Sequence, residues 1–253
     1  MALDLTSTPL WLSTELVVED DTEESVVGSD NHQDAIEYAH GPLVEYVREQ
    51  DSDSPRWYVS NQVMVLVDVP QRSTPWRCKP DLFVVPNVPV HSRASYDTRT
   101  DGPMPPFIVE VASEGTWERD VGEKRDMYSR AGVQEYLVFD PTSDLLGEPV
   151  RAWYRVDNEL IPWAPRLRAD GVAVWESVVL GLAVRPEGLV LRFDHPTRGP
   201  LPLLRDMHIR LAAEQAVREA AETALTAERQ AKMEAVHRVA ALEEELRRLR
   251  GNH

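Results

Sequence analysis

"FIVEVASEGTWERDVGEKRDMYSRAGVQEYLVFDP" runs from Phe107 to Pro141 and decides the fold. "FIVEVAS" is a nearly continuous apolar run, the pattern of a strand covered on both faces. A polar turn follows, then a helix that starts around Thr116 to Asp120 and ends at Gly132, a residue suited to a C-cap. "VQEYLVFDP" resumes the sheet, so strand, helix and strand are joined by short connections. Two residues stand out against this frame. Glu110 is an acid inside a buried strand, which is costly unless it is paired or bound to a cation. Lys124 lies four residues after Asp120 and four before Tyr128, which puts all three close to one helical face.

Upstream, "KPDLFVVPN" reads as a short buried strand with Asp81 at its start. If this strand neighbours "FIVEV", the carboxylates of Asp81 and Glu110 meet beside the backbone carbonyl of Val111. Such a cluster of hard oxygens suits Mg²⁺ (or Mn²⁺), which takes few protein carboxylates and keeps several waters. It also relieves the repulsion between two buried acids. With the helical face packed over the strand ends, the ammonium of Lys124 reaches a water or a phosphate there. The chemistry implied is metal-assisted attack of water on a phosphodiester. The candidate catalytic residues are Asp81, Glu110 and Lys124, and the candidate metal ligands are Asp81, Glu110 and Val111. Plainer readings stand beside these: a Pro-Asp turn for Asp81, a helix-start role for Asp120, and packing roles for Tyr128 and Tyr136. In the first helix, His32, Glu37 and Glu45 are additional acid or base candidates of which only Glu37 is kept, since a solvated helical face accounts equally for the glutamates.

Residues 1–29 form an acidic lead-in around "VEDDTEESVVGSD", residues 30–198 the core, and residues 199–253 a C-terminal helix. Within the core, "DNHQDAIEYAHGPLVEYVREQ" has helical spacing that Gly41-Pro42 kinks or splits. "RWYVSNQVMVLVDVP" reads as one strand. "VPVHSRASYDTRTDGPMPP", residues 88–106, is a polar loop long enough to be functional; His91, Arg93, Tyr96 and Arg99 are candidates to contact phosphate or bases, beside the plain reading that loops often carry such residues without purpose. Residues 150–195 hold hairpins or short strands that close the domain. Beyond Leu203 the chain is rich in Ala, Glu, Leu and Arg. Ala235, Val239, Leu242, Leu246 and Leu249 make one stripe, a partial coiled-coil pattern that points to homodimerisation through this helix.

The 253-residue chain carries 27 Lys and Arg against 43 Asp and Glu, a formal net charge of -16. That balance repels a phosphate backbone at long range. Arg72, Arg77, Lys79, Arg93 and Arg99 supply a local basic patch that offsets it. The single cysteine, Cys78, forms no internal disulfide, and no zinc motif is present. The start of the chain lacks the pattern of a secretion signal, and no apolar run approaches bilayer length, so the expectation is a cytoplasmic protein with no membrane partner. Two function classes follow. One is a divalent-metal-dependent endonuclease acting on DNA; the other is a non-catalytic, nuclease-like module that recruits a protein through its acidic head and helical tail.

"PDLFVV", "IVEVASEGT" and "RDVGEKRDMYSRAGVQEYLVFDP" together resemble the Uma-two family of bacterial proteins classed as restriction endonucleases, a branch of the PD-(D/E)xK nuclease superfamily. The resemblance covers residues 30–195 and is most specific over 79–141. It implies an α/β fold with a restriction-endonuclease-like mixed sheet flanked by helices, and a divalent-metal nuclease site at Asp81, Glu110 and Lys124. The superfamily lysine usually stands two residues after the second acid, where this chain has Ala112. In this branch the following helix supplies it, and the resemblance assigns it to Lys124. Glu114 occupies the place of a usual proline in the turn.

Overall fold

Apolar runs long enough to be covered on both sides need two cores, and the computed structural model has them. It describes residues 30–50, 57–68 and 75–203, with further helical positions at 206, 217–218, 222–226, 228–230, 232–233 and 238. The chain divides into two units, residues 1–203 and 204–253. The first unit opens with helix α1 (Asp30–Gln50), which runs unbroken through Pro42. The strands are β1 (Trp57–Ser60), β2 (Met64–Val67), β3 (Trp76–Cys78), β4 (Leu82–Pro86), β5 (Ser95–Asp97) and β6 (Phe107–Val111). Next come α2 (Trp117–Arg119), a π-helical turn (Asp120–Lys124) and α3 (Arg125–Ala131). The remaining strands are β7 (Glu135–Phe139), β8 (Val150–Val156), β9 (Glu159–Pro162), β10 (Arg166–Leu167), β11 (Ala173–Ser177), β12 (Leu182–Glu187), β13 (Val190–His195) and β14 (Gly199–Pro200). The result is a mixed α/β fold.

The central sheet has the order β1-β4-β6-β7-β8-β9. β6 and β7 are parallel, joined by the helical crossover, and the other pairs are antiparallel. Because successive side chains alternate across a strand, each central strand feeds two cores. Phe107, Val109 and Val111 join Leu82, Val84, Leu137 and Phe139 on one face, packed against Ala35, Ile36, Ala39 and Leu43 of α1 and the sheet β10-β11-β12-β13-β14. Ile108 joins Phe83, Val85, Tyr136 and Val138 on the other, under Tyr128 and the small sheet β3-β2-β5. Every residue of β6 and β7 is buried.

The stretch around Trp57 to Val67 is two strands and not one. β1 belongs to the central sheet and β2 to the small sheet. Gln62, at φ 51°, turns the chain between them, and its amide donates to the Pro80 carbonyl at 3.1 Å. The polar loop after Val88 is likewise more structural than expected. It contains β5, whose Tyr96 is fully buried, and the Arg93 guanidinium lies 4.4 Å from the Tyr58 ring centroid and pairs with Asp101. Arg93 is therefore a core-anchoring residue. In the second unit the described positions are helical, with Val217, Leu225 and Met233 exposed. The stripe from Ala235 to Leu249 and the acidic lead-in lie outside the described residues. Among the described residues no helix is long and apolar enough to cross a membrane.

Glu135 ties the central sheet to the C-terminal one. Buried at the start of β7, it accepts hydrogen bonds from the amides of Val178 at 2.8 Å and Val179 at 3.2 Å, and from the Ser177 hydroxyl. Burial pushes its carboxyl above the usual range, while these donors pull it back. The folded state thus binds this proton more tightly than the unfolded chain. Stability from this group is greatest at low pH and declines as pH rises from the ordinary glutamate value toward the folded one. Glu135→Ala, which orphans two amides, is expected to cost about 1–3 kcal/mol in urea denaturation. Glu135→Gln is expected to keep most of the stability and to flatten its decline with pH; an unchanged pH slope would remove Glu135 as the source.

Candidate active site

Register brings the two predicted acids together. β4 pairs with β6 so that Leu82 faces Val109, which sets Asp81 opposite Glu110 at the strand ends. The alternation that puts Ile108 in the second core puts Glu110 on the same face, beneath the crossover helices. Two reciprocal hydrogen bonds lock the pair. The Asp81 amide donates to Glu110 Oε2 at 3.2 Å, and the Val111 amide donates to Asp81 Oδ2 at 2.8 Å.

The helical crossover supplies the rest. Lys124 Nζ lies 3.3 Å from Glu110 Oε1 and 3.0 Å from Asp120 Oδ1, and its side chain is 9 % exposed. Tyr128 donates its hydroxyl to Glu110 Oε1 at 2.7 Å. Asp120, at 1 % exposure as buried as Glu110, accepts from the Thr116 hydroxyl at Oδ2. Its Oδ1 meets the Lys124 ammonium at 3.0 Å, which compensates its charge. The Tyr136 hydroxyl donates to the Asp120 backbone carbonyl at 2.8 Å and fixes the π turn over the sheet. Gly132, at φ 96°, ends α3 in the left-handed conformation that glycine adopts without strain, and Val133 N returns to Tyr128 O at 3.0 Å.

Burial dominates the electrostatics. It raises the Glu110 carboxyl well above the usual range, with Lys124 opposing and Asp81 adding to the rise. Asp120 is raised for the same reason, again opposed by Lys124. Tyr128 and Tyr136 are driven far up by burial, so both hydroxyls stay protonated and act as donors. From the opposite face, His32 in the first turn of α1 places Nε2 3.1 Å from the Val111 carbonyl and 3.5 Å from Asp81 Oδ2. Its pKa is raised, chiefly by the hydrogen bond to Asp81.

Asp81, Glu110, Val111 and Lys124 thus converge, joined by Asp120, Tyr128 and His32. Sequence reasoning gave Tyr128 to packing and set His32 aside. The signal for Tyr128 was its four-residue spacing from Lys124. His32 had a weaker one: it heads the apolar stripe Ala35, Ile36, Ala39 and Leu43. Glu37 is exposed on α1. Arg99 pairs with Asp97, Arg77 is exposed, and Arg72 lies outside the described residues. Among the described residues no three His, Cys, Asp or Glu side chains form a ready metal cage.

The Uma2 family, described as "Putative restriction endonuclease", matches residues 9–158, which include the whole cluster. The chain belongs to the Uma2 family. The match begins before and ends before the span of the sequence resemblance, and it leaves the whole C-terminal sheet outside. Among solved structures, this Uma2 chain is similar to a protein from Anabaena variabilis described as "a putative nuclease belonging to DUF820", with 12 % identity, 55 % of this chain and 72 % of that one covered, and a TM-score of 0.39. No curated protein matches it.

If Lys124 is what makes two buried acids tolerable, its loss and theirs are coupled. Lys124→Met is expected to cost about 3–5 kcal/mol of stability, because uncompensated carboxylates remain in the core. In a Glu110→Gln background the same change should cost at least about 1 kcal/mol less. Denaturant titration of the four proteins gives the coupling directly, and strict additivity would show that Lys124 only packs.

Proposed function

We propose that this Uma2 protein is a divalent-metal-dependent endonuclease that hydrolyses DNA phosphodiester bonds, with Asp81 and Glu110 as metal ligands and Lys124 as the catalytic cation. The observation that carries the reading is the crowding of acids in the cluster: Glu110 and Asp120, each 1 % exposed, share one lysine, and Asp81 lies beside Glu110. Their unspent donors are hard oxygens. That set suits Mg²⁺ or Mn²⁺, which binds through one or two carboxylates and retains waters, so a cage of three side chains is not required. Family membership supports the same reading.

Asp81, Glu110 and the Val111 carbonyl would hold the cation. When bound, it supplies Lewis acidity and neutralises charge on a phosphoryl group. The chain's own residues do the rest. Tyr128 and the Asp81 amide fix both oxygens of Glu110, leaving it little rotamer freedom to lose on binding. Lys124, held between Glu110 and Asp120, keeps an ammonium beside the reacting centre, where it orients a water and stabilises negative charge on the transferring group. Burial keeps the site poor in bulk water, which strengthens each of these interactions.

The test is cleavage of plasmid and single-stranded DNA by the full chain in Mg²⁺ or Mn²⁺, alongside Asp81→Asn, Glu110→Gln and EDTA. Asp81→Asn keeps a carbonyl acceptor for the Val111 amide, and Glu110→Gln keeps one of the two acceptor oxygens of Glu110. Activity is expected to fall at least about 100-fold in each and to vanish with chelator. Cutting that survives the two variants would place the chemistry elsewhere. Complete inactivity together with no Mg²⁺ or Mn²⁺ binding by calorimetry would favour the interaction module.

A further inference from the structure

His32 stands out in α1 because it is a polar residue at the head of an apolar stripe. Positions 32, 35, 36, 39 and 43 lie on one helical face, and the four that follow His32 are buried in the first core. Packing of that stripe against β4 and β6 therefore fixes where the imidazole goes. It is 15 % exposed and ends at the C-terminal edge of β6, where Nε2 meets the Val111 carbonyl at 3.1 Å and Asp81 Oδ2 at 3.5 Å. These are two of the three donors assigned above to the metal. A structural histidine on that face would need only one acceptor. This one spans two oxygens, one from the residue before β4 and one from the end of β6.

The spacing is also that of a coordination sphere. Neighbouring donors around an octahedral cation at about 2.1 Å lie about 3.0 Å apart. The imidazole nitrogen lies 3.1 Å from one proposed donor oxygen and 3.5 Å from another, separations near those between adjacent corners of such an octahedron.

We infer that His32 is a metal ligand that completes the site from α1 and sets its preference for Mn²⁺ over Mg²⁺. The inference rests on the metal reading of Asp81 and Glu110 and deepens it. An imidazole nitrogen is a poor partner for hard Mg²⁺, which favours oxygen and dehydrates reluctantly, whereas first-row transition ions accept it readily. A site of oxygens alone would leave Mg²⁺ and Mn²⁺ more evenly matched. His32 breaks that balance, and its place on α1 ties metal binding to the docking of that helix on the sheet.

The test uses the full chain loaded with Mn²⁺. Electron spin-echo envelope modulation of the wild type is expected to show the nitrogen coupling of a directly bound imidazole. His32→Gln should lose it, and calorimetry should show its Mn²⁺-to-Mg²⁺ affinity ratio reduced about tenfold. The wild-type spectrum needs no variant, so a His32→Gln protein that fails to fold does not block the result. If Mn²⁺ binds and Asp81→Asn abolishes binding, yet the wild type shows no nitrogen coupling, the role of His32 is overturned while the metal reading stands. If the wild type binds no Mn²⁺, or binds it unaffected by Asp81→Asn and Glu110→Gln, both fall together.

Discussion

A carboxylate in the middle of a sheet covered on both faces has no water to turn to, and Glu110 is in that position. Whatever surrounds it must supply donors, positive charge, or both. Much of the local architecture answers that demand. The antiparallel register of β4 and β6 brings the Asp81 amide to one oxygen, and the crossover helices bring Lys124 and Tyr128 to the other. The π turn has a geometric part in this. In an α-helix, positions four apart overshoot a full turn by about 40°, so Asp120, Lys124 and Tyr128 would drift around the surface. A wider π turn between the first two offsets the drift, and all three stay on the face over β6.

Relief is less complete here than at two other buried acids of the same unit. A buried acid serving only the fold is normally satisfied in full, as Asp140 is: its two oxygens accept from the amides of Thr142, Ser143, Leu145 and Leu146 and organise the turn after β7. Glu135 is satisfied in the same way at the junction of the two larger sheets. Around Glu110, by contrast, Glu110 and Asp120 share the single lysine Lys124, and Asp81 faces His32. The same chain therefore shows both outcomes, and the difference lies in where the remaining negative charge is kept.

The parts legible in the sequence were those written in local pattern. An acid within "FIVEV", a lysine in helical register behind it and a glycine after the helix are short-range signals, and each reports a real cost or a real stop. The neighbouring of β4 and β6 was reached only as a condition, because strand pairing is non-local. What could not be read depended on partners distant in the chain. His32 acts on the backbone carbonyl of a residue 79 positions away, which no side-chain pattern encodes. The break between β1 and β2 turns on Gln62 in a left-handed conformation, without the glycine that would have marked it. Arg93 looked like a phosphate contact because arginine in a polar loop usually faces water; stacking on Tyr58 overrode that.

The total charge bears on this site differently from the way it bears on an ordinary nucleic-acid surface. A net charge of -16 opposes the approach of a phosphate backbone, and the cluster adds carboxylates where the phosphate would have to come closest. One lysine already engaged by two acids cannot reverse that field. In the proposed reading, cation binding must therefore precede or accompany substrate binding, since the divalent charge is the largest positive contribution available at the centre. Salt then acts on two opposed terms: it screens the long-range repulsion between acidic protein and DNA while weakening local contacts to phosphate. A protein of this charge is accordingly expected to lose affinity with salt less steeply than a basic nuclease making the same contacts, because part of what salt removes is repulsion.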